Sequence, residues 1–389
     1  MNPAPRLAFF FLCLFAFLTP FIAPAYIVTA PLLFTWIAEL RRERRRPAGF
    51  RSPFVFLFLL LALLTILSAI FSRDPAASSH HLGGLGLFLL VPATMDLVDG
   101  PSRAKTLVLS LSASAVALSI YGIWQFLHGG DDLQSRIRAT LSHYMTFSGI
   151  ALLAACMLLG FAFEETGRRR AIGLLAILPL TAVLLTFTRN AYVGIVAALV
   201  LYGAVRRPKL LPAVAVVLLL VYFAAPSGIR ERIRSTVDLS DATNRDRIAM
   251  VRAGARMVAE SPVLGLGADM VEPYYPLYRD PGAPRWNVPH LHDNVVQLAA
   301  ANGLFAAGVY LAIVAVFLAK AIAKLRSGDE PARAAIWAGA LLAGTAITVA
   351  GFFEYNFGDT EVEMATLLIF ALPFSRAADA PVLRPGDHE

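Results

Sequence analysis

The sequence predicts an all-α polytopic membrane protein of about twelve transmembrane helices, with one large helical loop between the ninth and the tenth. Three observations predict it. Of the 389 residues, 57% are hydrophobic and only 16% charged. A soluble domain carries about 45–50% apolar and about 25% charged residues. Runs such as 53–71 and 210–224 hold no charge at all, and basic residues collect in the turns between such runs. This composition excludes a cytosolic enzyme, a secreted disulfide scaffold and a nucleic-acid binder. Cys13 and Cys156 both sit inside apolar runs, so neither a disulfide framework nor a cysteine metal site is expected.

Crossing about 30 Å of hydrocarbon takes about 20 apolar residues. The candidate spans are 7–20, 24–40, 53–71, 83–98, 105–127, 145–163, 171–187, 190–205 and 210–224, then 303–325, 333–352 and 361–375. The first two share the Thr19-Pro20 break and form either two spans or one re-entrant hairpin. Ala23-Pro24-Ala25 has the small-residue form of a cleavage site, but a lone Arg6 makes a poor leader and further spans follow. Orientation follows from the positive-inside rule. Five arginines fill 41–46, and Arg168, Arg169, Arg170, Arg206, Arg207, Lys209, Lys320, Lys324 and Arg326 fall on the same side. The opposite short loops carry only Arg73, Arg136, Arg138 and Arg189. Both termini are therefore expected to be cytoplasmic. The expected organisation is nine helices in 1–224, an outer loop domain at 225–292, three helices in 293–375 and a polar tail at 376–389.

The long loop holds nine Arg, no Lys and eight acids. A loop of this length in a compact protein is usually functional. Residues 245–260 read as an amphipathic helix, with Asn244 as its cap and Ser261-Pro262 as its stop. At 100° per residue Arg245, Arg252 and Arg256 form one polar stripe, whereas Arg247 falls on the other side with Val251, Gly254 and Val258. A guanidinium on an apolar face needs a partner, because a buried unpaired charge costs several kcal/mol. That partner is either a local carboxylate or an anionic ligand. Arg189 poses the same question at a span junction, in Thr188-Arg189-Asn190, where it either snorkels to headgroups or points along the outer mouth of the bundle. A planar fork of donors suits phosphate.

The loop closes on Pro289-His290-Leu291-His292-Asp293-Asn294. Two histidines and an aspartate are too few for a metal site of typical spacing, so no metal and no cofactor are expected. Asp293 can cap the next helix and leave His292 at its positive end, which favours a neutral imidazole able to act as a base. A structural histidine at a loop–helix junction is the plainer alternative. Another outer loop carries Arg136, Arg138 and His143, either anchoring headgroups or lining a sugar or phosphate site. Glu354, Asp359 and Glu361 on the last outer turn either orient sugars or pair with the arginines.

Together these features resemble the O-antigen ligase family of bacterial envelope glycosyltransferases. A family pattern runs His, then Asn, Ser or Gln, nine residues, Gly, two residues, then Gly, Thr or Tyr. Here His292, the nine residues 294–302 and Gly303 follow it, while Asp293 and Ala306 depart from it. Arg247 with Pro262-Val263-Leu264-Gly265-Leu266-Gly267 is similar to the family's Arg, helix and Pro-x-x-Gly-x-Gly run, and Thr188-Arg189-Asn190 to its Arg-containing span junction. The likeness covers about 180–310. It implies a GT-C-like fold in the bacterial inner membrane with a periplasmic active site. It also implies metal-independent, inverting transfer of a glycan from an undecaprenyl diphosphate carrier, onto lipid A core or another glycan or protein acceptor. Carried over, Arg189 and Arg247 would hold the diphosphate and His292 would deprotonate the acceptor hydroxyl. Arg136, Arg138, His143, His290 and Asp293 are candidate substrate contacts. An O-antigen or exopolysaccharide polymerase and a protein O-glycan ligase share these features. A lipid-linked glycan flippase would place charges at the midplane and often repeats, and the sequence has neither; a lipid phosphatase would need a Ser-Gly-His run, which is absent.

Overall fold

The computed structural model describes residues 6–129, 136–225, 227–327 and 330–379, so most of the predicted tail lies outside it. Among the described residues the chain is helical, with no strand. Six helices are long and apolar enough to cross a membrane: Ile22–Arg42, Pro53–Ile70, Pro101–Gly129, Tyr144–Glu164, Asn294–Arg326 and Pro331–Ala350. The other six predicted segments are helical but short, broken or more polar. Arg6–Leu18 and Leu210–Ala224 are short apolar helices. Arg189–Arg206 has an arginine at each end. Residues 83–98 begin as a 3₁₀ helix, His80–Leu89, before Leu90–Leu97 turns α-helical. Gly83, Gly84 and Gly86 weaken the α-form there. Residues 171–187 divide into Gly167–Leu174 and Ile177–Leu185, and the last segment ends at Ala371 ahead of Pro373.

Tyr144–Glu164 and Pro331–Ala350 form the buried centre of the bundle. They approach closely because Gly160 faces backbone. A Cβ there would lie 2.1 Å from the Ala335 carbonyl oxygen. Arg6–Leu18 and Ile22–Arg42 pack as a helical hairpin turning at Thr19 and Pro20.

The loops that alternate along the chain meet in two groups. At one end, Arg73 pairs with Glu260, the Ser78 hydroxyl donates to the Ala268 carbonyl (2.7 Å), and Thr146 donates to Asp359 (2.6 Å). At the other, Glu164 takes Arg206 at 3.3 Å and Arg207 at 3.5 Å, and Lys324 donates to the Ala378 carbonyl (2.6 Å). The long loop belongs to the first end. It folds into Ser227–Arg234, Ala242–Glu260 and Val271–Tyr278, and its own apolar cluster includes Met250, Met257, Leu266 and Tyr275. The Ala242–Glu260 helix starts earlier than its apolar pattern indicates. Asp241 caps it, accepting from the Thr243 and Asn244 amides, while Asn244 turns back to donate to the Ser235 and Asp238 carbonyls. Aspartate wins because it sits before the first turn and carries charge at the positive helix end.

A break in the Asn294–Arg326 helix joins loop to bundle. Gly303 adopts φ 89° and ψ 168°, a region open almost only to glycine. The interruption frees carbonyls that the 262–267 run satisfies. Leu266 and Gly267 donate to Ala300 and Ala301 (2.9 Å each), and Leu304 donates back to Pro262 (2.9 Å). Gly265 (φ 69°) and Gly303 are also where the two backbones meet: a Cβ on Gly303 would lie 2.0 Å from the Val263 carbonyl oxygen. The Pro-x-x-Gly-x-Gly run and the glycine after His292 are thus two halves of one joint.

Gly303→Ala is expected to cost at least about 1–3 kcal/mol, through strain and displaced backbone. Thermal unfolding of the purified protein checks it. A Tm equal to the parent's would show that the joint tolerates a side chain.

Candidate active site

The joint fixes the start of the Asn294–Arg326 helix, and His292 sits just before it. Asp293 caps that helix, its Oδ1 accepting from Val295 (2.8 Å) and Val296 (2.9 Å). His292 itself has φ 53°, an uncommon conformation for a side chain larger than glycine's. It turns the imidazole away from the helix and towards the last outer turn, where Nδ1 lies 2.8 Å from Glu354 Oε2. Burial pushes the Glu354 carboxyl up, but the hydrogen bond and charge of His292, with His290 and Arg247 nearby, hold it below the usual carboxylate range. An ionised carboxylate only accepts, so Nδ1 carries the hydrogen and the Nε2 lone pair is left for chemistry. His290 lies on the other Glu354 oxygen at 3.6 Å, and burial drives its pKa down to about 4.

The arginines gather around this histidine–carboxylate pair. Arg189 opens its helix after a turn in which Phe187 is left-handed (φ 52°). Its buried guanidinium donates to the Ser235 carbonyl (2.6 Å) and hydroxyl (3.0 Å) and pairs with Asp241 at 3.1 Å. Arg189 therefore fastens the long loop to the bundle. Arg232 donates to the Phe187 carbonyl (3.2 Å), and its pKa falls to about 10, first through burial and then through the charges of Arg189, Arg136 and Arg247. Arg247 differs. Among the described residues its guanidinium makes no hydrogen bond or ion pair. Burial lowers its pKa, and of its charged neighbours Glu354 opposes that shift while Arg189 adds to it. Four guanidiniums thus act on one another around Asp241 and Glu354.

Arg247 and His292 line one cavity of about 460 Å³. Its polar wall also has Thr236, Asn244 and Arg252, while Leu239, Val251, Phe352 and Phe353 make an apolar lip. Phe352 and Phe353 remain 46% and 40% exposed, so the cavity opens beside an apolar surface. An unpaired guanidinium, an oriented imidazole and an apolar entrance suit an anion attached to a lipid.

The other predicted residues are placed as follows. His290 stands behind His292, its ring centroid 4.3 Å away. Asp293 is spent on its cap. Arg136 lies over the Tyr144 ring at 4.5 Å and within electrostatic reach of Arg232. His143 caps Tyr144–Glu164 through Nδ1 (3.3 Å from the Met145 amide), and Arg138 donates to the Ser142 carbonyl at 3.3 Å. These three rim the site and do not line the cavity. Sequence reasoning missed Arg232, one basic residue among several in Ile229-Arg230-Glu231-Arg232-Ile233-Arg234. It noted Glu354 only as one of three acids; alternation of spans could have placed it beside His292. A metal set is closer than the sequence indicated, because one ligand atom each of His290, His292 and Glu354 lies within 4.8 Å of the others. The short His292–Glu354 hydrogen bond accounts for the same clustering without an ion.

Residues 174–311 match the family model described as O-antigen ligase. This segment belongs to the O-antigen ligase family. The match contains Arg189, Arg232, Arg247, His292 and the Gly303 joint, and the family is one of membrane enzymes that ligate glycans. No curated protein matches the chain.

The Glu354 bond has a pH signature. Its folded pKa is depressed, so the stability it contributes is complete above the unfolded carboxyl value, about 4.3. That contribution disappears as pH falls through the lower folded value. Glu354→Gln is expected to lower stability by about 1.5–3 kcal/mol at pH 7, the range for a hydrogen bond to a charged group. The difference should shrink towards pH 3 in parallel denaturation curves. A gap that is unchanged at pH 3 would show that Glu354 does not act through its charge.

Proposed function

We propose that the protein is an inverting glycosyltransferase of the bacterial inner membrane, joining O-antigen from undecaprenyl diphosphate to lipid A core. The observation that carries this reading is the unpaired Arg247 facing the same apolar-lipped cavity as His292. The bias of basic residues towards one set of loops supports cytoplasmic termini and a periplasmic cavity. The diphosphate lies against Arg247, with Arg232 and Arg189 adding positive field, and the lipid chain leaves past Phe352 and Phe353. His292 Nε2 takes the proton of the acceptor hydroxyl, whose oxygen attacks C1 of the donor sugar. The C1–O bond to the diphosphate breaks, its electron pair going to the phosphate oxygen. Preorganised guanidiniums stabilise that growing charge. Attack opposite the leaving group inverts C1, and the proton on His292 passes to solvent.

Glu354 acts through His292 as a positioning residue, fixing the tautomer and balancing the imidazolium that forms. In this mechanism no metal takes part. A divalent ion held by His290, His292 and Glu354 is the second reading, favoured by their convergence.

In nanodiscs with a lipid-linked donor and lipid A core, His292→Ala should lower transfer about 10²–10⁴-fold. Arg247→Ala should lower it about 10²-fold or more while the protein still folds. Activity should survive a chelator. Transfer at the parent rate by His292→Ala would discard the base, and loss restored by a divalent ion would favour the metal reading.

A further inference from the structure

A second cavity adjoins the first. It opens between the Ala242–Glu260 helix and the turn at 280–284, encloses about 810 Å³, and is lined by Arg245, Ile248, Ala249, Arg252, Asp280 and the turn itself. Ile248 and Arg252 line both cavities, so the two are separated by a single ridge of the helix.

The turn is anchored from behind. Arg256 pairs with Asp280 and donates to the Tyr278 carbonyl (2.7 Å). Arg279 donates to the Ala283 carbonyl (2.8 Å) and the Arg285 carbonyl (3.0 Å). Asp280 is therefore shared: Arg256 holds one carboxylate oxygen closely, and Arg252 makes a longer ion pair with the other at 3.8 Å. The Arg245 side chain has no hydrogen-bond or ion-pair partner among the described residues. Two guanidiniums thus face a cavity whose single lining carboxylate is already shared by Arg256 and Arg252, which leaves their positive charge in excess. Trp286, two residues past the turn and 70% exposed, is held under Arg279 at 4.9 Å, and offers a flat, fixed surface of the kind sugar rings stack on. The lining lacks the aromatic lip of the first cavity, so it does not suit a lipid chain.

We propose that this second cavity seats the acceptor glycan, and that the acceptor carries an anionic group, phosphate or carboxylate, which Arg245 and Arg252 bind. The proposal rests on the transferase reading above, which needs an acceptor site next to His292 and separate from the diphosphate. The shared ridge meets that need. Guanidiniums recognise either anion through paired donors.

The test is calorimetric binding of trigalacturonate, phosphorylated maltotriose and plain maltotriose to the full-length purified protein without donor. Binding of at least one anionic probe, with plain maltotriose bound about tenfold more weakly or not at all, is expected. Arg245→Ala with Arg252→Ala should weaken the anionic probe about tenfold or more, whereas Arg168→Ala, at the other end of the bundle, should not. The two anionic arms separate carboxylate from phosphate. Equal affinity for plain maltotriose, or an unaffected double variant, would overturn the proposal even if transfer is intact. Displacement of the probe by phosphatidylglycerol with no effect of the double variant would assign the cavity to headgroups and overturn it too. Arginine-dependent binding by a protein that transfers nothing would defeat the transferase reading, and the acceptor role with it.

Discussion

The structure turns on a backbone joint. A transmembrane helix cannot ordinarily accept hydrogen bonds from a loop, because its carbonyls are used within the helix. Gly303 releases the Ala300 and Ala301 carbonyls, and the 262–267 run takes them up. Those bonds hold the C-terminal end of the Ala242–Glu260 helix against the first turns of Asn294–Arg326. Gly254 lets the two elements close further, since a Cβ there would lie 2.4 Å from Val296 Cγ1. Arg247 and His292 belong to those two elements. Their common cavity is a consequence of the joint rather than of any contact between them.

Charge is arranged around the joint unevenly. Arg189 lies deepest and is neutralised by Asp241, which also caps the loop helix. One carboxylate therefore serves as cap, ion-pair partner and tether. Glu354 is taken by His292. Arg232 has only a carbonyl, and Arg247 has no protein partner among the described residues. Taking a guanidinium out of water without a partner is unfavourable. The surplus is tolerable where a ligand supplies the missing anion, which makes Arg247 the natural seat of the proposed diphosphate, with Arg232 and Arg189 adding to its field.

Much of this was legible from local pattern. Helical periodicity alone put Arg247 on the apolar face of its helix, whereas singling out His292 needed the family pattern that the sequence resembles. The pairing of Gly303 with the 262–267 run was visible only as two separate motifs, because sequence carries no record of which carbonyls a break exposes. Glu354 lies 62 residues from His292 and was one acid among three; tertiary contact decides between them. Where the predicted spans and the helices differ, apolar length is not helix length. Hydropathy does not register that Gly83, Gly84 and Gly86 favour a 3₁₀ turn, nor that the 171–187 segment divides. Asn244 and Asp241 are both sound caps, and three residues of additional helix settled the choice.

The left-handed backbone of His292 shows how the parts depend on one another. A non-glycine residue in that region is disfavoured by roughly 1–2 kcal/mol, so neighbouring contacts must hold it. Two do: the Asp293 cap fixes the residue that follows, and the Glu354 hydrogen bond fixes the ring. In the proposed reaction both charges that develop are met by groups already in place. The proton arriving on His292 makes an imidazolium beside Glu354, and the negative charge leaving C1 grows against Arg247. Glu354 acts electrostatically on Arg247 as well as on His292. As the imidazolium forms, its positive charge offsets that of Glu354, so the combined potential of the three groups becomes more positive. The site as a whole is then more positive when the diphosphate most needs it. Proton uptake and leaving-group stabilisation are in this way linked through one carboxylate, without contact between base and cation.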